Sequence, residues 1–238
     1  MSEAKTSRIV LILFLPAILN MAISWIIASI VVSRLIAEGV EPARFGIEIA
    51  KVLFTYNFYW SILQAAFGIY LAKAMGGIEW LREKYSLKNF EKTRSVLLIA
   101  GLVVVSLGLI FLEQFVNVFL YGGWENFSEW WREVIGGIPL WSKIYLAAIA
   151  PFTAGIFEEI IWRCYGIETL EKRLGPGKAN LVQAIAFGFW HGISLHTLIT
   201  FLIGYIYGLV YLKRRNLIEL SIAHILTDII GFSVWVFG

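Results

Sequence analysis

The stretch Ile9–Ser33, IVLILFLPAILNMAISWIIASIVVS, runs for 25 residues without one charged side chain. About 20 mostly apolar residues suffice for a helix to cross the hydrocarbon core of a bilayer. A signal peptide carries a shorter apolar segment, roughly 7–15 residues, so this stretch reads as a retained membrane anchor. The same pattern recurs outward from it. Val52–Ala72 is interrupted only by Asn57, Ser61 and Gln64, and Val96–Leu112 is clean and extends past Glu113 toward Tyr121. Further spans are expected at Leu140 to about Leu170, with charges inside it, at Ala179–Leu195, at Thr197–Leu212 and at Leu217–Phe237. The expectation is an all-α integral membrane bundle of about seven (seven to eight) transmembrane helices. It forms a single transmembrane domain over residues 1–238, with N-terminal helices in 1–121 and a catalytic core in 140–238.

Bulk composition agrees. Hydrophobic residues make up 59% of the 238-residue chain and charged ones 16%, against roughly 45–50% and about 25% in soluble domains. A soluble monomer would be left with apolar patches far above the few hundred square ångströms it tolerates. An ordinary soluble enzyme, a disordered chain and a nucleic-acid binder are therefore excluded. One cysteine, Cys164, rules out an intrachain disulfide and any cysteine-based metal cluster. Ten Trp and ten Tyr supply aromatic belts for the two membrane surfaces.

Orientation follows from the basic residues. With a cytoplasmic N-terminus, fourteen Lys and Arg fall on the cytoplasmic side, five fall outside, and Arg163 lies within a span. That asymmetry is what the positive-inside rule asks of a cell-membrane protein with seven helices, N-in. Gly122–Gly137, with Trp124, Trp130 and Trp131, reads as an external amphipathic stretch on the interface, a surface loop carrying belt tryptophans rather than a binding site.

Ionisable groups inside membrane helices cost roughly 2.5–3.5 kcal/mol each on insertion scales. Spans four, five and seven nevertheless hold Glu158, Glu159, Arg163, His191, His224 and Asp228. They must face one another or a watered cavity, either as helix-joining ion pairs or as a reaction site. Glu159 and Arg163 stand at i and i+4 in the favourable order for an intrahelical pair. Glu158 points about 100° away, has no partner at that spacing, and is free to take a proton from water. His224 and Asp228, also i and i+4, share one face. Gly188 and Gly192, and Gly204 and Gly208, have the small-xxx-small spacing of close helix contact. Cys164 and His196 have no evident partner.

These residues resemble a known family. Glu158-Glu159-Ile160-Ile161-Trp162-Arg163 fits EExxxR, Phe187–His191 fits FxxxH, and His224–Asp228 fits HxxxN/D, with Phe201, Gly204 and Gly208 between the last two. In that order the chain, over roughly residues 140–238, is similar to the CAAX protease and bacteriocin-processing enzyme family, which includes the type II CAAX prenyl endopeptidases. The resemblance implies an intramembrane glutamate-type endopeptidase acting on a membrane-associated peptide or protein, a C-terminally prenylated substrate among them, with no cofactor and no nucleic-acid partner. It implies that Glu158 activates a water with His191, that Glu159 and Arg163 support and orient it, and that His224 and residue 228 stabilise the oxyanion. Prenyl-protease members typically carry Asn where this chain has Asp228. An ionised Asp only accepts hydrogen bonds, so Asp228 either holds a proton or orients His224 and leaves the imidazole as donor; the second is the reading adopted. Two alternatives compete with this function: a zinc protease using His191, His224 and a carboxylate as ligands, and a non-catalytic peptide-binding or immunity protein.

Overall fold

Thirty-two residues, Thr6–Ala37, wind into a single helix, α1, in the computed structural model, which describes residues 5–238. At 1.5 Å per residue α1 is about 48 Å long and outruns a hydrocarbon core of about 30 Å. The second expected span is broken. It consists of α2 (Phe45–Thr55) and α3 (Phe58–Met75), parted at Tyr56–Asn57. A short α4 (Gly77–Lys84) follows at 99° to α3. The corner is made by Gly76 and Gly77, both with positive φ, a conformation open to glycine because it has no Cβ.

Next come α5 (Lys92–Leu120) and the amphipathic α6 (Trp124–Gly136). The rod that carries EExxxR runs from Leu140 to Leu174 in four pieces: α7 (Leu140–Ala148), α8 (Ala150–Thr153), a 14-residue π-helix (Ala154–Ile167) and α9 (Glu168–Leu174). The last three helices are α10 (Pro176–Trp190), α11 (Leu195–Arg214) and α12 (Ile218–Phe237). No strand occurs among the described residues.

Among the described residues five helices are long and apolar enough to cross a membrane: α1, α5, the Leu140–Leu174 rod, α11 and α12. The α3–α4 pair, bent by 99°, makes a sixth if its two helices form one span. The count therefore falls short of the expected seven to eight. The missing span is α10, which stops at 15 residues, about 22 Å, because the chain leaves the helix at His191. Lipid-facing surfaces are evident on α5, where Phe111, Phe115 and Phe119 are 74%, 68% and 82% exposed. Such a stripe suits acyl chains and would be a liability in water.

The π-helix is the centre of the bundle. Every residue from Glu158 to Ile167 is buried. Trp162 packs with Trp190, Phe187 and the α1 residues Leu13 and Ala17 on one side, while Ile160 and Cys164 meet Tyr207, Tyr211 and Leu220 on the other. Glycine allows the crossings. A Cβ on Gly155 would stand 2.5 Å from Ile225 Cγ1 and 3.0 Å from the backbone oxygen of Ser221, and one on Gly188 would stand 2.8 Å from the Thr197 oxygen. Gly204 and Gly208 are equally crowded, against Phe187 and Asn180. Gly192 differs from the packing role expected of it: nothing lies within 4 Å of its Cβ position, and its φ of +98° serves the turn after α10.

Candidate functional site

Glu158 and Glu159 both stand on the π-helix. Such helices are rare and are found mostly as short bulges at functional positions; here one spans the whole EExxxR segment. Glu159 Oε2 lies 3.3 Å from Arg163 Nε, both side chains fully buried. The Arg163 guanidinium sits 4.0 Å from the centre of the Phe187 ring, a cation–π contact. The expected pairing of these two residues is present.

Glu158 faces elsewhere and has neutral partners that sequence spacing did not reveal. Its Oε1 accepts 2.6 Å hydrogen bonds from Gln64 Nε2 on α3 and from Trp190 Nε1 on α10. Its Oε2 has no hydrogen-bond partner among the described residues. The Nε2 of His224 lies 3.7 Å from that oxygen. Trp190 is itself held, since Asn20 Nδ2 on α1 donates to its carbonyl over 2.8 Å. The hint in the sequence was the presence of Gln64 and Asn20 in otherwise apolar spans.

His224 overturns one expectation. Its Nδ1 lies 2.8 Å from Glu159 Oε1, whereas Asp228 Oδ2 is 3.7 Å from Nε2. The carboxylate behind this imidazole is thus Glu159, reached across the helix interface, and Asp228 stands on the same side of the ring as Glu158. The i,i+4 spacing places Asp228 near His224 but does not make it the orienting group.

His191 ends α10. Its Nδ1 is 3.0 Å from the carbonyl oxygen of Phe187. A carbonyl can only accept, so Nδ1 carries the proton and Nε2 keeps a free lone pair. The ring lies edge-on to Trp60, Phe187 and His196. The turn beyond it is fixed by Thr197, whose Oγ1 donates to the Gly192 oxygen at 2.7 Å and accepts from the Ser194 N–H at 2.9 Å. Irregular backbone at membrane depth is tolerated where it is covered by protein or lines a cavity.

That cavity holds about 890 Å³ and is lined by Glu158, His191, His224 and Asp228 together with Gln64, His196 and Glu113. Its walls continue along the later turns of α5 and α12 to Phe127, Trp130 and Trp131 of α6. The amphipathic stretch read as a surface loop is therefore a helix that forms part of the cavity wall.

The two residues left without a partner by sequence both have one. His196 Nδ1 is 2.7 Å from Glu113 Oε2, and Cys164 Sγ is 3.0 Å from the Tyr211 hydroxyl. Among the described residues no three His, Cys, Asp or Glu side chains converge as a metal-ion site.

Comparison of the chain with curated proteins and with solved structures returned no match. Residues 139–230, which carry all three motifs, match the family model described as type II CAAX prenyl endopeptidase Rce1-like.

Proposed function

We propose that the chain is an intramembrane endopeptidase that hydrolyses a peptide bond of a membrane-associated substrate with a water activated by Glu158. The observation that carries this reading is the asymmetry of the Glu158 carboxylate: one oxygen holds two N–H donors, and the other is buried without a hydrogen-bond partner, 3.7 Å from an imidazole, in the wall of the cavity. A carboxylate fixed at one oxygen presents the other as a base in a set direction. Oε2 takes a proton from water, and the free lone pair of His191 Nε2 accepts the second O–H and orients it. The hydroxide oxygen attacks the carbonyl carbon. His224, with both ring nitrogens protonated, gives Nδ1–H to Glu159 and Nε2–H to the developing oxyanion. A preorganised donor of that kind is worth about 3–4 kcal/mol of barrier. Asp228 on the same side helps to balance the imidazolium charge, a task for which a carboxylate serves where an amide would not.

The cavity suits an extended peptide segment with apolar flanks, because aromatic side chains make up its wall away from the acids. A prenylated C-terminus is one substrate of this kind, in keeping with the family matched. The excess of basic residues at the ends of α1, α9 and α11 supports a cytoplasmic N-terminus. In that orientation the cavity lies in the outer half of the bilayer, and substrate reaches it within the membrane plane or from the α6 side.

Mass spectrometry of a lipidated peptide incubated with the purified protein in liposomes tests this. The expected outcome is two fragments whose masses sum to the peptide plus one water. A peptide that is retained at unchanged mass would instead identify a binding protein.

A further inference from the structure

Glu113 and His196 lie outside the three motifs, and the hydrolysis described above makes no use of them. An intramembrane carboxylate marks a functional position unless packing demands it, and its partner should be named. Glu113, on the outer half of α5, is 5% exposed, and its Oε2 meets His196 Nδ1 at 2.7 Å. His196 opens α11, keeps about a third of its side chain exposed, and lines the same cavity as Glu158. Its ring centre is 5.4 Å from that of His191, at 79°. Thr200 Oγ1 donates to the His196 carbonyl at 2.8 Å, so the backbone carrying the ring is held as well. With Nδ1 engaged by the carboxylate, Nε2 is the nitrogen left for chemistry, the arrangement in which an acid behind an imidazole fixes its tautomer.

We infer that the Glu113–His196 pair is the general acid of the reaction, delivering the proton that the departing amine requires. The inference rests on the endopeptidase reading of the cavity. Breaking a peptide C–N bond leaves the electron pair on nitrogen, and that nitrogen must gain a proton to depart. The Nε2–H proton of the His196 imidazolium passes to it. The neutral imidazole then regains, through water in the cavity, the proton that Glu158 removed from the attacking water. The net change is peptide plus water to carboxylic acid plus amine.

The test compares an amide peptide with its thioester analogue, in which sulfur replaces the scissile nitrogen. A thiolate, the base of a thiol with pKa about 8.5, leaves without protonation. In His196→Gln and Glu113→Gln, amide turnover should fall about 10²–10⁴-fold, the usual worth of general acid–base catalysis, while thioester turnover falls far less. Glu113→Gln can still accept a hydrogen bond from His196, so a merely structural clamp would survive it. Parallel loss of both substrates, or loss of neither, overturns the inference; in the latter case Glu158 returns the proton unaided. Wild-type protein that cleaves neither substrate removes the endopeptidase reading itself, and this inference with it.

Discussion

At the scale of single residues, Glu158 depends on two donors from separate helices. Hydrogen bonds to a charged group contribute about 1.5–3 kcal/mol each. Gln64→Leu or Trp190→Phe should therefore lower kcat roughly 10- to 100-fold with KM little changed, because each frees Oε1 to turn away from the cavity. Steady-state kinetics on each variant checks this, and a change confined to KM would place the two residues in substrate binding instead. His224 gives a second prediction. Since its Nδ1 partner is Glu159, Asp228→Asn should cost less activity than Glu159→Gln, measured with one peptide in one bilayer. The motif acids, both motif histidines and the Glu159–Arg163 pair were legible in the sequence because fixed spacings along a chain encode them. Gln64, Trp190 and Glu113 were not legible as partners. Two of them come from α3 and α5, and only tertiary packing brings them to the cavity.

At the scale of elements, spans were read from apolar length, and that criterion finds α1, α5, α11 and α12. It is blind to interruptions made by backbone geometry. The corner at Gly76–Gly77, the end of α10 at His191 and the π-helix of Ala154–Ile167 each leave the hydrophobic pattern intact. The Glu158–Glu159 pair splits because neighbouring residues on a helix point in different directions, one acid to the cavity wall and the other to Arg163 and His224. At Gly155 the backbone of α12 comes close to the π-helix. Gly155→Ala pushes a methyl group into Ile225 and the Ser221 carbonyl, and overpacking of this kind typically costs about 1–3 kcal/mol. Thermal unfolding in detergent should show a lowered midpoint together with lost activity. An unchanged midpoint would mean that the helix crossing is looser than this contact requires.

At the scale of the whole molecule, α6 forms part of the wall of the cavity that holds the site. Basic residues gather where α4, α9, α11 and α12 meet: Lys84 pairs with Glu168, Arg215 with Glu171 and Arg214 with Glu219. The only cysteine, Cys164, is buried, which leaves a clean background for labelling. In intact cells a membrane-impermeant maleimide should modify Glu129→Cys on α6 and spare Lys88→Cys on the basic face. The reverse pattern would put the cavity on the cytoplasmic side and turn the orientation over.

The most direct measurement concerns Glu158 alone. Wild-type protein and Glu158→Gln are reconstituted in liposomes and given the same lipidated peptide in ¹⁸O-labelled water. Wild type should place one labelled oxygen in the new carboxyl group, and the variant, folded with an unchanged unfolding midpoint, should form no product. Cleavage by Glu158→Gln at a rate near that of wild type would contradict the assignment of this carboxylate as the base.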